Sequence, residues 1–336
     1  MMNQPLLTIH DLRTHFFLDE GVVRAVNGVN LEISKGRTLA IVGESGCGKS
    51  VTAFSILRLV SEPGRIVSGQ MLLHGDEGPL DLVQLPEDGK TIRHIRGQDI
   101  AMIFQEPMTS LSPVHTVGDQ IMEAVLLHTD MSRSEAQTHT IHMLERVGIP
   151  DAGRRIKQYS HEMSGGMRQR VMIAMALSCR PTLLIADEPT TALDVTIQAQ
   201  ILALMRNLQE DMGMAILLIT HDLGVVAAMA HEVAVMYMGR VVERAATRSL
   251  FEHPQHPYTQ ALLRSIPGMS PHRAKLDTIS GSVPDALQQI AGCPFHPRCD
   301  DMVPGRCDQG ESPGLEEVEP EHQVACILRH GEHGHG

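Results

Sequence analysis

One stretch decides the fold of this 336-residue chain: Leu39-Ala40-Ile41-Val42-Gly43-Glu44-Ser45-Gly46-Cys47-Gly48-Lys49-Ser50. Its four leading apolar residues predict a short, buried parallel strand, and the glycine-rich part predicts a loop that wraps a phosphate group. Gly43, Gly46 and Gly48 allow the loop N–H groups to point inward, and the helix that follows adds its positive N-terminus.

The polar residues of this loop have expected places around a nucleoside triphosphate. Lys49 should reach the β- and γ-phosphates, and the Ser50 hydroxyl should hold Mg²⁺. The other expected nucleotide contacts are Gly43, Ser45, Gly46, Cys47, Gly48 and Val51. A glycine-rich turn without a ligand is the alternative, which the strand before the loop and the helix after it disfavour.

A second element ends in two carboxylates: Leu183-Leu184-Ile185-Ala186-Asp187-Glu188. Asp187 ends a predicted buried strand, where an unpaired carboxylate is costly, so we expect it to face Mg²⁺ through water. Glu188 stands at the strand tip and is the expected general base for an attacking water. A solvated Asp-Glu pair in a loop is the alternative, and four preceding apolar residues argue against it.

A third element lies just before that strand: Ser164-Gly165-Gly166-Met167-Arg168-Gln169-Arg170. Ser164 can cap a helix that runs to about Leu177, and the two glycines leave N–H groups bare for a γ-phosphate. If an inserted helical subdomain holds this turn far from the phosphate loop, its donors cannot serve the loop of the same chain.

Together the three elements resemble the ATP-binding subunits of ABC transporters. The resemblance implies an α/β P-loop ABC ATPase domain with an inserted helical subdomain, and ATP sandwiched between two subunits. In that arrangement Ser164, Gly165 and Gly166 complete the site of the opposing subunit. The family pattern is Leu-Ser-Gly-Gly-Gln, whereas Met163 and Met167 flank the turn here, so a methionine takes the last position, to which the family assigns a ribose contact.

Further site residues follow from the same resemblance. Gln105 matches the glutamine that senses Mg²⁺ and the catalytic water, and His221 matches the switch histidine that contacts the γ-phosphate, although a lone histidine is often only a polar residue. Asp194 matches a residue at the dimer interface. Phe16 is the expected adenine-stacking ring, with Phe17 as its competitor because alternate strand residues face opposite sides.

Three segments resemble the oligopeptide, dipeptide and nickel importers within that family: residues 104–111, 159–170 and 256–263. The resemblance implies an ATP hydrolase that powers import of dipeptides or oligopeptides, with nickel, glutathione or another small solute as alternatives. The implied partners are a paralogous ATPase subunit, two membrane permease subunits and an extracytoplasmic solute-binding protein. Gln105 and residues 106–114 are expected to contact a permease helix, and a homodimer remains open.

The chain divides into an expected ATP-binding domain, residues 1–245, and a C-terminal extension, residues 246–336. Within the first, helical spacing places the inserted subdomain at about residues 115–180. Apolar runs predict strands at residues 6–9, 22–26, 100–104, 215–219 and 233–238, and helices are expected at residues 51–60 and 196–212. The His-rich tail, residues 329–336, is expected to be disordered.

Charge and hydropathy narrow the function class. A formal net charge of -12 argues against a nucleic-acid-binding surface, which usually needs a basic stripe. No apolar run approaches the roughly 18 residues of a membrane span, and the N-terminus lacks a signal pattern. We therefore expect a peripheral protein at the cytoplasmic face of the bacterial inner membrane. A soluble ABC ATPase acting on nucleic acid is the distant alternative, and a stand-alone metal-binding protein leaves the nucleotide motifs unexplained.

Four cysteines crowd the C-terminal extension in the pattern Cys293-x5-Cys299-x7-Cys307-x18-Cys326. The surrounding sequence has little apolar content, so a cross-linking centre is expected to organise it. No short knuckle of the kind that wraps zinc occurs, and a cubane cluster tolerates wider spacing. The region also resembles the Cys-rich C-terminus of peptide-importer ATPases, which implies a 4Fe-4S cluster. Zinc, and free thiols or disulfides, stay open.

Overall fold

The computed structural model describes residues 4–105, 110–191, 193–265 and 279–329. The chain forms two compact units. The first comprises Met1–Leu6, Ile33–Arg37 and Gln84–Leu218, and the second comprises Leu7–Glu32, Thr38–Val83 and Ile219–Gly336. The tail expected to be disordered lies, apart from Arg329, outside the described residues.

The described strands, in chain order, are β1 Pro5–Leu18, β2 Gly21–Ser34, β3 Thr38–Val42, β4 Gly64–Gly75, β5 Gly78–Asp81, β6 Ile100–Ile103, β7 Leu183–Asp187, β8 Ala215–Ile219, β9 Glu232–Tyr237, β10 Arg240–Ala246, β11 Glu316–Glu319 and β12 His322–Val324. The described helices are α1 Lys49–Ile56, α2 Lys90–Gln98, α3 Val117–His128, α4 Arg133–Arg146, α5 Ala152–Arg155, α6 Gly165–Leu177, α7 Val195–Met212, α8 Leu223–Met229, α9 Thr247–Glu252 and α10 Pro257–Arg264.

The second unit contains two sets of paired strands. One is a four-stranded sheet in the order β2-β1-β4-β5, with β1 antiparallel to β4 and β4 antiparallel to β5. In the other, β3 runs parallel to β9, and β9, β10, β12 and β11 follow one another in antiparallel pairs. Every residue of β3 is buried, as a parallel strand between covering layers requires. The phosphate loop therefore begins at the end of a rigid strand.

The first unit places parallel β6 and β7 side by side, with β8 as the next neighbour of β7. All five residues of β7 and all five of β8 are buried. Helices α3, α4 and α6 pack against one another. Side-chain caps fix several helix starts: Thr116 caps α3, Ser132 and Glu135 form a capping box on α4, and Ser164 caps α6. No helix in the described ranges has the length and apolarity of a membrane span.

The buried strands and the inserted helices match the sequence-based prediction closely. Strands β3, β7 and β8 begin and end within one residue of the predicted bounds. Helices α3 to α6 lie between residues 115 and 180, and a separate inserted subdomain there stays a prediction. The helix expected at residues 51–60 is wrong at its C-terminal end, because α1 stops at Ile56 and Arg58 has a left-handed backbone, φ 55°. The boundary predicted at residue 245 falls inside the second unit and stays a prediction.

Candidate functional site

The phosphate loop, Gly43–Ser50, is tightly packed within the second unit. Gly43 and Gly48 have φ of 149° and 102°, and a Cβ added at either position would strike a backbone oxygen, that of Met236 at Gly43 and that of Ala25 at Gly48. Only glycine fits both the conformation and the space. The exposed residues of the loop are Ser45 and Gly46, at its outer edge.

Lys49 lies inside the loop rather than in solvent. Its side chain is almost fully buried, and its ammonium donates to the carbonyl oxygens of Gly43 at 2.8 Å and Glu44 at 3.0 Å. Ser50 and Val51 are the next residues of α1 and are half-buried. Burial raises the pKa of the neighbouring Cys47 thiol, so this cysteine is uncharged near neutral pH and contributes an apolar wall.

A cavity of about 330 Å³ adjoins the loop at Gly46 and Cys47. Strand β2 contributes Val23 and Ala25 to its wall, and the C-terminal part of the chain contributes Val283, Pro284, Ala286 and Gln288–Ile290. The latter belong to the C-terminal segment, defined here as residues 246–329 as far as described. The C-terminal segment therefore borders the phosphate loop within the second unit.

Phe16 and Phe17 take opposite sides of β1. Phe16 pairs with Gly64 of β4, and its ring covers that glycine so closely that a Cβ there would collide with it. Phe17 is 38% exposed, and the Arg65 guanidinium lies 4.2 Å from its ring centre. Phe16 thus has a fixed ring, whereas Phe17 already carries a cation over one face; which of them stacks on adenine stays a prediction.

Glu188 is held by two polar side chains in the first unit. Its Oε2 atom accepts a hydrogen bond from Gln105 Nε2 at 3.0 Å and another from Thr191 Oγ1 at 2.8 Å. Glu188 has a left-handed backbone, φ 48°, directly after buried Asp187 at the end of β7. The two residues proposed separately as general base and as sensor of the catalytic water, 83 positions apart in sequence, therefore meet at one carboxylate.

The Ser164 turn is exposed at the N-terminus of α6, and a buried hydrogen bond of that helix holds it in place. Ser164 Oγ accepts from the Met167 N–H, and both Ser164 and Gly165 are exposed. Behind them, buried Gln169 donates to the Pro189 carbonyl oxygen at 2.6 Å, which ties α6 to the loop after Glu188. A Cβ on Gly166 would approach Ile197 at 3.0 Å, so the turn also borders α7, which Asp194 caps.

His221 occupies the second unit, after β8. It is exposed, and the residues around it are fixed by a tight turn. The Asp222 N–H donates to Thr220 Oγ1 at 3.0 Å, and the Asp222 carboxylate caps α8 by accepting from the N–H groups of Gly224 and Val225. The histidine is thus displayed at the carboxyl end of a buried strand.

The site prediction missed two supporting residues, Thr191 and Gln169. A hydroxyl three positions after Glu188 was visible in the sequence, since Thr191 follows in the turn. Gln169 carried no comparable signal, because its partner is a backbone carbonyl 20 residues away. Residues 106–109 of the predicted permease contact, and Ala192 beside Asp194, lie outside the described residues.

The predicted metal centre of the C-terminal segment is not supported by the geometry. Cys293, Cys307 and Cys326 are buried and Cys299 is half-buried. Burial, with smaller contributions from the neighbouring thiols, raises the pKa of Cys293 and of Cys299 to about 11. Across the described ranges, no three His, Cys, Asp or Glu side chains are arranged to hold a metal ion.

Two family models match the chain. Residues 26–191 match the model described as ABC transporter, and residues 242–307 match the model described as oligopeptide/dipeptide transporter, C-terminal region. The second match begins in β10 and covers three of the four clustered cysteines.

Similar proteins cover nearly the whole chain. The "Probable peptide ABC transporter ATP-binding protein" of Sinorhizobium fredii is 53% identical over 96% of this chain and 94% of its own length. The dipeptide transport ATP-binding protein of Bacillus subtilis is 48% identical over 97% of this chain and 95% of its own. The oligopeptide transport ATP-binding protein of Salmonella typhimurium is 48% identical, over 96% and 93%.

Solved structures share the fold. The ATP-binding cassette MJ0796, in a dimeric post-hydrolysis state with ADP and Pi, is 26% identical, with a TM-score of 0.63 over 72% of this chain and 99% of its own. The protein cbiO1 of Clostridium perfringens, part of an ABC transporter complex, is 27% identical, with a TM-score of 0.62 over 74% of this chain and 92% of its own.

Proposed function

Because this chain belongs to the ATP-hydrolysing, ATP-binding proteins of peptide ABC transporters, we propose that it powers peptide import with Glu188 as the general base of ATP hydrolysis. One observation carries the assignment of the base: Gln105 and Thr191 both donate to the same oxygen of Glu188. The two bonds fix the direction of the carboxylate, which would accept a proton from the attacking water.

The oxygen donors predicted for Mg²⁺ suit that ion. Ser50 offers a hydroxyl, Gln105 an amide and Asp187 a carboxylate buried at the end of β7; Mg²⁺ prefers such hard oxygen ligands. The bound ion would neutralise charge on the β- and γ-phosphates. Lys49 would bind the same phosphates, the loop N–H groups would orient them, and His221 would contact the γ-phosphate.

We assign the Ser164 turn to the nucleotide of a second ATPase subunit. Ser164 and Gly165 are exposed at a helix N-terminus, where N–H groups and the helix dipole attract phosphate. Asp194 and the 84% exposed Val195 lie at the start of α7, which borders the turn through Gly166. The proposed second subunit is a paralogous ATPase, and a second copy of this chain is the alternative.

The proposed cargo is a dipeptide or oligopeptide, with nickel, glutathione or another small solute as alternatives. Three relatives named for peptide transport support this, as does the matched C-terminal region. Two permease subunits and an extracytoplasmic solute-binding protein would complete the transporter, and the chain would work at the cytoplasmic face of the inner membrane.

We keep a 4Fe-4S cluster on Cys293, Cys299, Cys307 and Cys326 as a separate proposal. Its support is the four-cysteine pattern of the sequence, since clusters of this type use four cysteines. Anaerobically purified protein should be brown and should lose iron when Cys299 becomes Ser. Colourless protein with one zinc per chain, or with none, would contradict the cluster and leave the ATPase proposal unchanged.

The function is tested with the complete transporter in vesicles. Labelled dipeptide should accumulate only when the binding protein and ATP are both present, and Glu188→Gln should stop both accumulation and ATP turnover. Uptake of nickel or glutathione in place of peptide would contradict the proposed cargo and leave the proposed ATPase activity unchanged. Wild-type turnover by the Glu188→Gln variant, with the partner site silenced, would remove Glu188 as the base.

A further inference from the structure

Glu44 is the acidic residue of the phosphate loop, and Arg298 of the C-terminal segment forms an ion pair with it. The Arg298 guanidinium makes a bidentate ion pair with Glu44: Nη1 lies 2.7 Å from Oε2 and Nη2 lies 3.1 Å from Oε1. The Arg298 side chain is 4% exposed and that of Glu44 is 25% exposed. A paired, largely buried arrangement of this kind is both stronger and more directional than a surface ion pair.

Tyr258 holds the backbone of the same residue. Its hydroxyl oxygen accepts a hydrogen bond from the Glu44 N–H at 2.9 Å. The Tyr258 ring is fully buried and packs against Tyr237 and Phe295, with ring centres 4.7 Å and 5.3 Å away. Two residues of the C-terminal segment, 40 positions apart, therefore fix both the side chain and the main chain of Glu44.

Arg298 is itself firmly placed. Its Nε donates to the Ser280 carbonyl oxygen at 3.0 Å, and Nη1 lies 3.4 Å from the Tyr237 hydroxyl oxygen. The residue ends a 3₁₀ turn, His296–Arg298. Its ion pair with Glu44 joins two residues that are 254 positions apart in sequence. Bringing them together costs conformational entropy, so the ion pair depends on the order of the rest of the C-terminal segment.

Glu44 links Arg298 and Tyr258 to Lys49, the lysine proposed to bind phosphate. The Glu44 carbonyl oxygen accepts from the Lys49 ammonium at 3.0 Å, so a shift of the Glu44 backbone also shifts a partner of Lys49. The charge of Glu44 matters as well. A carboxylate in a loop that binds a polyphosphate repels the ligand, and the Arg298 guanidinium neutralises that carboxylate at close range.

We propose that Arg298 and Tyr258 are positioning residues through which the C-terminal segment sets the affinity of the phosphate loop for ATP. Arg298 cancels the Glu44 charge and orients its side chain, and Tyr258 fixes the Glu44 backbone. The inference rests on the proposed role of Gly43–Ser50 as the ATP site. It gives the C-terminal segment a part in nucleotide binding that does not depend on any metal.

The test is direct binding of MgATP to the full-length chain, together with its melting curve. Arg298→Gln should raise the Kd about tenfold, the size expected when a charge-assisted pair is lost. The double variant Arg298→Gln with Glu44→Gln should return to within about threefold of wild type, because the uncompensated carboxylate is gone. Tyr258→Phe, which removes one hydroxyl, should raise the Kd about fivefold.

Arg244→Gln is the matched control. Arg244 makes an equally short ion pair, 2.8 Å to Glu232, in the same unit. Its hydrogen-bond partners, Glu232 and the Glu32 carbonyl oxygen, are not residues of the phosphate loop, so the Kd of Arg244→Gln should stay within about twofold of wild type. If Arg298→Gln does not fold, the Kd of Tyr258→Phe for MgATP alone tests the inference.

Two results would overturn the inference: wild-type Kd values in the folded Arg298→Gln and Tyr258→Phe chains, or a double variant that binds no better than Arg298→Gln alone. Lys49→Ala separates this failure from that of the proposed function. If Lys49→Ala loses MgATP while the positioning variants bind normally, only the inference fails. Normal binding by Lys49→Ala would contradict the ATP site itself.

Discussion

The phosphate loop and the Ser164 turn are both glycine-containing segments at the start of a helix, yet the loop is largely buried and the turn is exposed. The loop is enclosed: Gly43 and Gly48 touch backbone atoms, Lys49 is buried, and Tyr258 and Arg298 hold Glu44. The turn is open: Ser164 and Gly165 are exposed, and no atom of the described residues lies within 4 Å of a Cβ built on Gly165.

The difference indicates how each region meets a nucleotide. An enclosed loop is shaped by its own unit and needs no second chain to keep its conformation. An open helix N-terminus with bare N–H groups is suited to a ligand that another molecule brings to it. This contrast is what a subunit that shares its nucleotide with a partner is expected to show, and the following predictions challenge it from the largest effect to the smallest.

Glu188→Gln should produce the largest change and leave the enclosed loop intact. The amide keeps the shape of the side chain and loses the ability to accept a proton, so ATP turnover by the transporter should fall roughly 100-fold or more. The Kd for MgATP should stay near that of wild type, because Lys49 and the loop are unchanged. Steady-state hydrolysis and nucleotide binding measured on the same preparation check both statements.

Gly165→Asp tests the open region. An aspartate has space there, so the fold and the MgATP affinity of the isolated chain should not change. In the assembled transporter the new charge would repel the partner's nucleotide, and turnover should fall about tenfold or more. Gly153→Asp is the matched control, since Gly153 also lies near a helix start, and in the part of the chain that the structure describes nothing lies within 4 Å of a Cβ built on it. Equal losses in both variants would show that the effect is not specific to the turn.

Thr191→Ala should have a smaller effect on the same chemistry. It removes one of the two hydrogen bonds to Glu188 Oε2 and should lower turnover about fivefold, which corresponds to about 1 kcal/mol. Thr191→Ser keeps the hydroxyl and should stay close to wild type. If alanine and serine reduce turnover equally, the methyl group rather than the hydrogen bond is responsible.

A prediction on stability rather than turnover concerns His256, which lies beside Tyr258 in the C-terminal segment and accepts a hydrogen bond from its N–H. Burial lowers the pKa of His256 to about 4, against about 6.5 in an unfolded chain. Between these values the unfolded chain binds a proton that the folded chain does not. The free energy of unfolding should therefore fall as the pH falls from 6.5 to 4, by at most about 1.4 kcal/mol per pH unit from this residue. Urea unfolding of wild type and His256→Gln should show a shallower slope in the variant.

Sequence reasoning succeeded where a local pattern dictates the structure. The apolar runs of β3, β7 and β8, and the Ser164 cap of α6, can be read within a few residues. In the antiparallel sheet of the second unit it predicted only residues 6–9 of β1 and 22–26 of β2. It missed β4, which carries only scattered buried residues and is defined by its pairing with β1. It also missed the contacts of Tyr258 and Arg298 with Glu44. No local pattern around these three residues indicates a contact between positions more than 200 residues apart.

The most direct test of the account is ATP-dependent association. Sedimentation velocity of the Glu188→Gln chain, alone and with its paralogous ATPase subunit, would be run with and without MgATP. The account predicts that MgATP converts monomers into a dimer in at least one of these mixtures, and that adding Gly165→Asp abolishes the dimer while MgATP binding persists. Monomers at saturating MgATP in both mixtures, or a dimer indifferent to Gly165→Asp, would contradict it.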